Sequence, residues 1–276
     1  MTTQRRRGAV ASQVEEWQAR GSYAFSADEL AARLPLTRTA LTAALRRLVA
    51  AGRLVRVGSH QPFFVIVPPE YRTAGAPPAA WVLDPYMRFL GTPYYLGLLS
   101  AAEWYGATHF ALPVTQVVTA TQRRPILVGK ARVRFFTKRE AARTPVRVES
   151  TPGGPLRVST PAATMLDLLR YPGPSGGLNR VATSVAILGQ GLRSPELRDA
   201  LDAADDTAAA QRLGFLLERS GAERLAGIVE RWLADRRPLR VRPLRVRPLD
   251  PAAAWAGHRV AARWQVRENA GVEVTR

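Results

Sequence analysis

Residues 26–52 read SADELAARLPLTRTALTAALRRLVAAG, and this stretch decides how the N-terminal region folds. Ser26 stands three residues before Glu29, so its hydroxyl can accept the Glu29 amide proton while the Glu29 carboxylate reaches back, a capping box. Phe25 before the cap and Leu30 inside the helix supply the hydrophobic staple that sets how the chain enters. Pro35 has no amide proton and turns the preceding residue away from helical angles, which predicts a helix end near Leu34. A second helix starts at once from the Thr37 cap, with Leu36 and Leu41 as its staple and Leu41, Ala44, Leu45 and Leu48 on one stripe. Gly52 supplies the left-handed stop.

Beyond Gly52, residues 54–57 and 62–67 alternate as two strands around a turn at 58–61, and residues 9–19 predict a preceding helix with Val10, Val14 and Trp17 at core spacing. A helix, a helix–turn–helix pair and a basic hairpin, in that order, make a winged helix-turn-helix, whose second paired helix enters the DNA major groove. The outward face of that helix presents Thr39, Thr42, Ala43, Arg46 and Arg47, with Thr37 and Arg38 at its start. Arg38, Thr39 and Thr42 are the candidates for base edges, since arginine reads guanine bidentately and threonine meets thymine methyls. Arg46 and Arg47 are placed for phosphates. Arg56 and the turn at Ser59 and His60 are the wing candidates for backbone or minor groove. A solvated helix face is the plainer reading of such a charge run, and the flanking architecture favours DNA over it. His60 reads as a polar loop residue, since no partner group stands near it in the sequence.

The 276 residues are 46% hydrophobic, enough for two domains with real cores. No apolar run approaches the roughly 20 residues that span a bilayer, and the segment after Met1 to Arg7 lacks a signal-peptide core, so the expected location is the cytoplasm. The absence of cysteine excludes disulfides, zinc ribbons and thiol nucleophiles, and the scattered His60, His109 and His258 speak against a metal site. The formal charge of +18 favours a polyanionic partner, because contacts to phosphate release condensed counterions. All of the 40 basic residues except Lys130 and Lys138 are arginine, however, a bias that GC-rich coding also produces, so placement matters more than the total. Residues 1–75 hold 11 arginines and 5 acids, leaving 29 basic and 17 acidic residues beyond them. The remainder is therefore basic too.

Residues 73–80 read TAGAPPAA, a small-residue and proline stretch expected to link a winged helix-turn-helix domain at 1–72 to a larger domain at 81–276. An apolar helix is predicted over 94–105, with Tyr95, Leu98, Leu99, Ala102 and Trp104 as packing residues. Strands are predicted at 114–121, 125–128, 131–136, 146–150 and 156–159. Alternation in the third places Arg132 and Arg134 on one face and Val133 and Phe135 on the other. Residues 122–147 hold nine basic side chains against Glu140 alone. Among them Arg123, Arg124, Lys130, Arg132, Arg134, Lys138 and Arg139 form a candidate surface for a partner or for the DNA backbone, with plain solvation as the alternative.

Thr160-Pro161 predicts a capped helix to residue 170, and further helices are expected at 178–189, from 195, at 207–219 and at 222–235. LRVRP at 239–243 recurs at 244–248, read as an extended basic connection or edge strand, and a last strand is expected at 263–267. Helices mixed with a short-stranded sheet argue for an α+β fold. No glycine-rich phosphate loop, G-x-S-x-G elbow or H-E-x-x-H motif occurs. The Asp205-Asp206 pair sits at a helix start, where capping explains it, and the sheet region lacks the clustered acids a magnesium nuclease needs. No cofactor, metal or catalytic residue is expected.

The stretches YYLGLLSAAEWYGA at 94–107, VRFF at 133–136, VSTP at 158–161 and TMLDL at 164–168 together resemble the AbiEi family. Those proteins are antitoxins and transcriptional repressors of type IV toxin–antitoxin, phage-resistance systems. The resemblance covers most of the chain, because that family also joins an N-terminal winged helix-turn-helix to a larger C-terminal domain. It departs at Ala162-Ala163, where family members often carry Glu-Arg, and in the 239–248 repeat. The resemblance implies binding to inverted repeats in double-stranded operator DNA, repression of the protein's own operon and neutralisation of a nucleotidyltransferase-like toxin. Two other readings stay open: a winged-helix regulator whose C-terminal domain senses a small molecule, and a nucleic-acid-processing enzyme using Asp167.

Overall fold

Both helices expected within residues 26–52 are present, and each is held by the cap read from its sequence. The computed structural model describes residues 3–58, 62–108, 112–236 and 244–272, with side chains from Gly8 onward. The N-terminal elements are α1 (Thr3–Ala19), β1 (Ala24–Ser26), α2 (Ala27–Arg33), α3 (Arg38–Ala50), β2 (Leu54–Val57) and β3 (Phe63–Ile66). At α2 the Glu29 amide donates to Ser26 Oγ at 3.1 Å and the Ser26 amide to the Glu29 carboxylate at 2.7 Å, the full capping box. At α3 the Ala40 amide donates to Thr37 Oγ1 at 3.3 Å.

Strand order β1-β3-β2 is antiparallel throughout, pairing Phe25 with Phe64 and Val55 with Val65. β1 is an addition to the sequence reading; three residues are too few for a periodic signal. Val10, Val14 and Trp17 of α1 bury against Phe25, Leu30, Leu41, Ala44, Leu45, Leu54, Phe64 and Ile66, the core that both staples foretold. Trp17 and Phe64 flank the Phe25 ring at centroid distances of 4.7 and 5.7 Å.

The remaining elements are α4 (Ala79–Phe89), β4 (Tyr94–Leu96), α5 (Leu98–Trp104), β5 (Val114–Thr119), β6 (Ile126–Val128), β7 (Ala131–Thr137), β8 (Val146–Thr151), β9 (Gly154–Ser159), α6 (Pro161–Arg170), α7 (Leu178–Gly189), α8 (Ser194–Ala204), α9 (Thr207–Arg219), α10 (Glu223–Asp235), β10 (Arg247–Pro248), β11 (Val260–Ala261) and β12 (Val266–Arg267). Helices follow a three-stranded N-terminal sheet and a six-stranded mixed sheet ordered β6-β7-β5-β4-β9-β8, so the fold is α+β. The chain makes two compact units, one of Met1–Tyr95, Pro113–Arg139 and Val148–Arg157, the other of Leu96–Leu112, Glu140–Arg147 and Val158–Arg276.

These units are drawn differently from the expected division at 73–80. Within the first unit that stretch is pinned to the β6–β7 turn: the Lys130 amide donates to the Ala74 carbonyl at 3.2 Å. A Cβ on Gly129, which has φ +60, would lie 2.7 Å from Ala76, so only glycine permits this approach. α4 then begins at Ala79, behind a proline pair that reads as linker but suits a helix start, and it continues through Pro85. Its burial of Val82, Leu83, Tyr86 and Met87 overrides the interior proline.

The helix expected over 94–105 is divided into β4 and α5, with extended Gly97 between them. Trp104, expected in the core, is 39% exposed. β5 and β7 pair in parallel, and β6 lies antiparallel to β7 at the sheet edge.

In the second unit, Asp206 caps α9 by accepting from the Ala209 amide at 3.0 Å, as expected, whereas Asp205 ends α8 in the left-handed region at φ +46 and its carboxylate accepts from Arg236. The strand expected at 263–267 is only β12, because Trp264 is buried against Gly214, where a Cβ would stand 2.0 Å from the indole. Arg247 and Pro248 of the basic repeat form β10 at the edge of a sheet ordered β10-β12-β11, an edge position that tolerates proline. Residues 239–243 of that repeat lie outside the described residues.

Candidate nucleic-acid interface

α3 is a thirteen-residue helix, about 20 Å long at 1.5 Å per residue. Its buried side carries Leu41, Ala44 and Leu45, and every candidate on its other side is exposed: Arg38, Thr39, Thr42, Arg46 and Arg47, with Thr37 at the cap. At 100° per residue, Thr42, Arg46 and Thr39 fall near the middle of that face, while Arg38 and Arg47 flank it about 180° apart. The flanking pair is separated by about 13 Å along the axis. Among the described residues no carboxylate pairs with any of the three arginines, and α3 contains no acid.

Local hydrogen bonds decide what the threonines offer. The Thr42 hydroxyl donates to the Arg38 carbonyl at 2.9 Å, so its methyl and a lone pair remain for a partner. Thr37 Oγ1 accepts from the backbone at the cap, which leaves its proton available.

Arg56 is exposed on β2, opposite Phe64 of β3. Ser59 and His60 lie outside the described residues. Gly58, at φ +77, begins the turn, and a Cβ there would meet the Tyr86 hydroxyl of α4 at 3.3 Å. Phe63 packs on Tyr86 and Phe89 at centroid distances of 5.2 and 5.0 Å, so the base of the hairpin is held by α4.

Arg124, Lys130, Arg132, Arg134 and Arg139 are exposed, and Arg123 is half-buried. The alternation read from β7 holds for Arg132, Val133 and Arg134, and Arg134 lies over the Phe136 ring at 5.0 Å. Lys138 is a correction: it is 2% exposed, its ammonium 5.9 Å from the Tyr95 ring centroid, and it belongs to no surface. Its aliphatic stem lets a lysine pack inside where the charge count suggested a patch.

Arg56 and the pair Arg123 and Arg124, read from the sequence as members of separate sets, line one cleft of about 920 Å³ in the first unit. Phe135 of β7 lines it too, with Tyr86 and Phe89, which did not stand out in the sequence because α4 was not legible there. Burial pushes the Tyr86 phenol above its ordinary value, and the Arg123 guanidinium pulls it back. Among the described residues no group of three or more His, Cys, Asp or Glu side chains could hold a metal ion, and no helix is long and apolar enough to cross a membrane.

Residues 95–219 match the family model for the AbiEi antitoxin C-terminal domain. This stretch is similar to that antitoxin domain. This bears out the resemblance read from residues 94–107, 133–136 and 158–168. The chain is also similar to the crystal structure of the RV2827C protein from Mycobacterium tuberculosis, with a TM-score of 0.63 and 18% identity over 96% of this chain and 92% of that one. At that identity the likeness is one of fold. A comparison with curated proteins found no match.

Within the matched stretch, the Ala162-Ala163 pair that departs from the family pattern is buried in α6, at 0% and 2% exposure. Charged residues there would need buried partners, so the alanines are a packing solution. Asp167 is likewise buried at 1% exposure on the same helix, away from solvent. Thr164 joins α6 to the end of β9, its hydroxyl 2.7 Å from Ser159 Oγ.

Proposed function

We propose that this protein is an AbiEi antitoxin, a cytoplasmic, DNA-binding repressor of a type IV toxin–antitoxin system. Its winged helix would bind inverted repeats at its own promoter, and its C-terminal domain would counteract a nucleotidyltransferase-like toxin. The observation that carries the DNA half is the face of α3, which offers three exposed guanidiniums and two threonines without a carboxylate. Arg38, Thr39 and Thr42 are assigned to base edges, Arg46 and Arg47 to phosphates, and Arg56 to the backbone beside the wing. Exposed Lys130, Arg132, Arg134 and Arg139 are assigned to a partner or to flanking DNA. The antitoxin half rests on the matched family domain.

Footprinting on DNA upstream of the protein's own coding sequence tests the first half. Protection of an inverted repeat, lost in an Arg38→Ala Arg46→Ala Arg47→Ala protein of unchanged thermal stability, is the expected outcome. Full protection by that variant would remove α3 from the interface. For the second half, co-expression with the product of a neighbouring nucleotidyltransferase-like gene should restore growth that the neighbour alone arrests.

A further inference from the structure

The cleft that gathers Arg56, Arg123 and Arg124 with Tyr86, Phe89 and Phe135 has no acidic side chain among its described lining residues. Arg123 and Arg124, adjacent in the chain, bring two positive charges to this lining, and an anion relieves the repulsion between them. Arg123 adds an independent sign: one of its terminal nitrogens meets Thr92 Oγ1, but its Nε is buried with no hydrogen-bond partner. A buried N–H left unpaired is unfavourable, so it calls for an acceptor from outside the chain.

Guanidinium forks match phosphate oxygens bidentately, and aromatic faces accept a flat heterocycle. A volume of about 920 Å³ is within the range of small-molecule sites. We propose that this cleft binds a nucleoside phosphate, with the phosphates on Arg123 and Arg124 and the base against the rings. Duplex DNA fits it poorly. Tyr86 is buried and Phe89 and Phe135 are half-buried, whereas a duplex keeps its bases stacked inside and presents only its backbone.

Calorimetric titration of the full chain with ATP, GTP, adenosine and inorganic phosphate tests the site without DNA, so the outcome is independent of the repressor reading. ATP or GTP is expected to saturate one site, with adenosine and phosphate each at least about tenfold weaker. Arg124→Ala, at an exposed position, is expected to weaken binding about tenfold, the loss of one charge-assisted contact. Arg123→Lys keeps the charge but not the fork and should weaken it as well, which covers the case in which removing Arg123 entirely harms folding. An Arg46→Ala Arg47→Ala protein should bind the nucleotide as the parent does. Absence of saturable binding by both nucleotides overturns the proposal, as does undiminished binding in both cleft variants. Loss of binding in the α3 variant also overturns it, since the nucleotide would then be drawn to the recognition helix.

Discussion

On α3, Arg38, Arg46 and Arg47 stand exposed on a face without a carboxylate, whereas Arg212, Arg236 and Arg263 of the second unit are matched to acceptors of their own chain. Arg212 is buried and donates through Nε to the Pro248 carbonyl at 2.9 Å. Arg236 meets Asp202 and Asp205 at 2.9 and 3.1 Å, and Arg263 is surrounded by Glu218, Glu223 and Glu230. One residue type thus serves two ends. A guanidinium with its acceptors inside the chain holds loops onto helices, and one left facing solvent keeps its charge and its five donors for a partner. The +18 charge, taken whole, hides this division.

The comparison is broken most severely by removing what the inward-facing arginines secure. Trp264→Ala, which empties the space over Gly214, should cost about 3–5 kcal/mol of stability in denaturant unfolding. Operator affinity measured on the still-folded protein should not change. The reverse pattern belongs to α3: Arg38→Ala should cost about 1–3 kcal/mol of operator binding and relax base preference, measured on a panel of mutated operators. Arg46→Ala or Arg47→Ala should weaken binding to all sequences and flatten the salt dependence, with stability changed by less than about 0.5 kcal/mol. If either lowered the melting temperature as much as it lowered affinity, the division between inward and outward arginines would fail.

Arg212→Ala sharpens the contrast from the other side. It leaves the Pro248 carbonyl without its donor and should destabilise by about 1–3 kcal/mol while leaving DNA binding intact. Ser26→Ala, which removes the cap of α2, should cost about 1 kcal/mol in thermal unfolding.

The smallest effect is confined to alkaline solution. Burial, and then the nearby Asp84 carboxylate that accepts from its hydroxyl at 3.2 Å, hold the Tyr94 phenol far above its ordinary value of 10.0. The unfolded chain loses this proton above pH 10 while the folded chain keeps it, so stability contributed below pH 10 is lost as pH rises beyond it. Tyr94→Phe should make the unfolding free energy fall less steeply above pH 10.

Much of the N-terminal region, α1 to β3, was legible because its signals are local. Ser26 and Glu29 are three residues apart, and the Leu41, Ala44 and Leu45 stripe spans little more than one turn. α4 was not legible, since Pro77, Pro78 and Pro85 are strong local signs against a helix and its apolar side is rewarded only by packing. Lys138 failed for the same reason: charge along a sequence says nothing of which residues a sheet turns inward. The separation of Arg56 from Arg123 and Arg124 in the chain kept the cleft from view, as no periodicity links β2 to the loop before β6.

By itself, the sequence determined the caps, stops and faces of the N-terminal helices, the identity of the exposed residues on α3 and the AbiEi likeness of residues 95–219, all carried by neighbours within a turn or by short stretches of residues. Tertiary structure alone decided that the 73–80 stretch is pinned by Gly129, that Trp264 closes over Gly214, and that Arg56 of β2 shares a cleft with the loop arginines Arg123 and Arg124 and three aromatic rings. Those outcomes depend on which distant backbones can approach closely, and close approach is set by packing in three dimensions rather than by spacing along the chain.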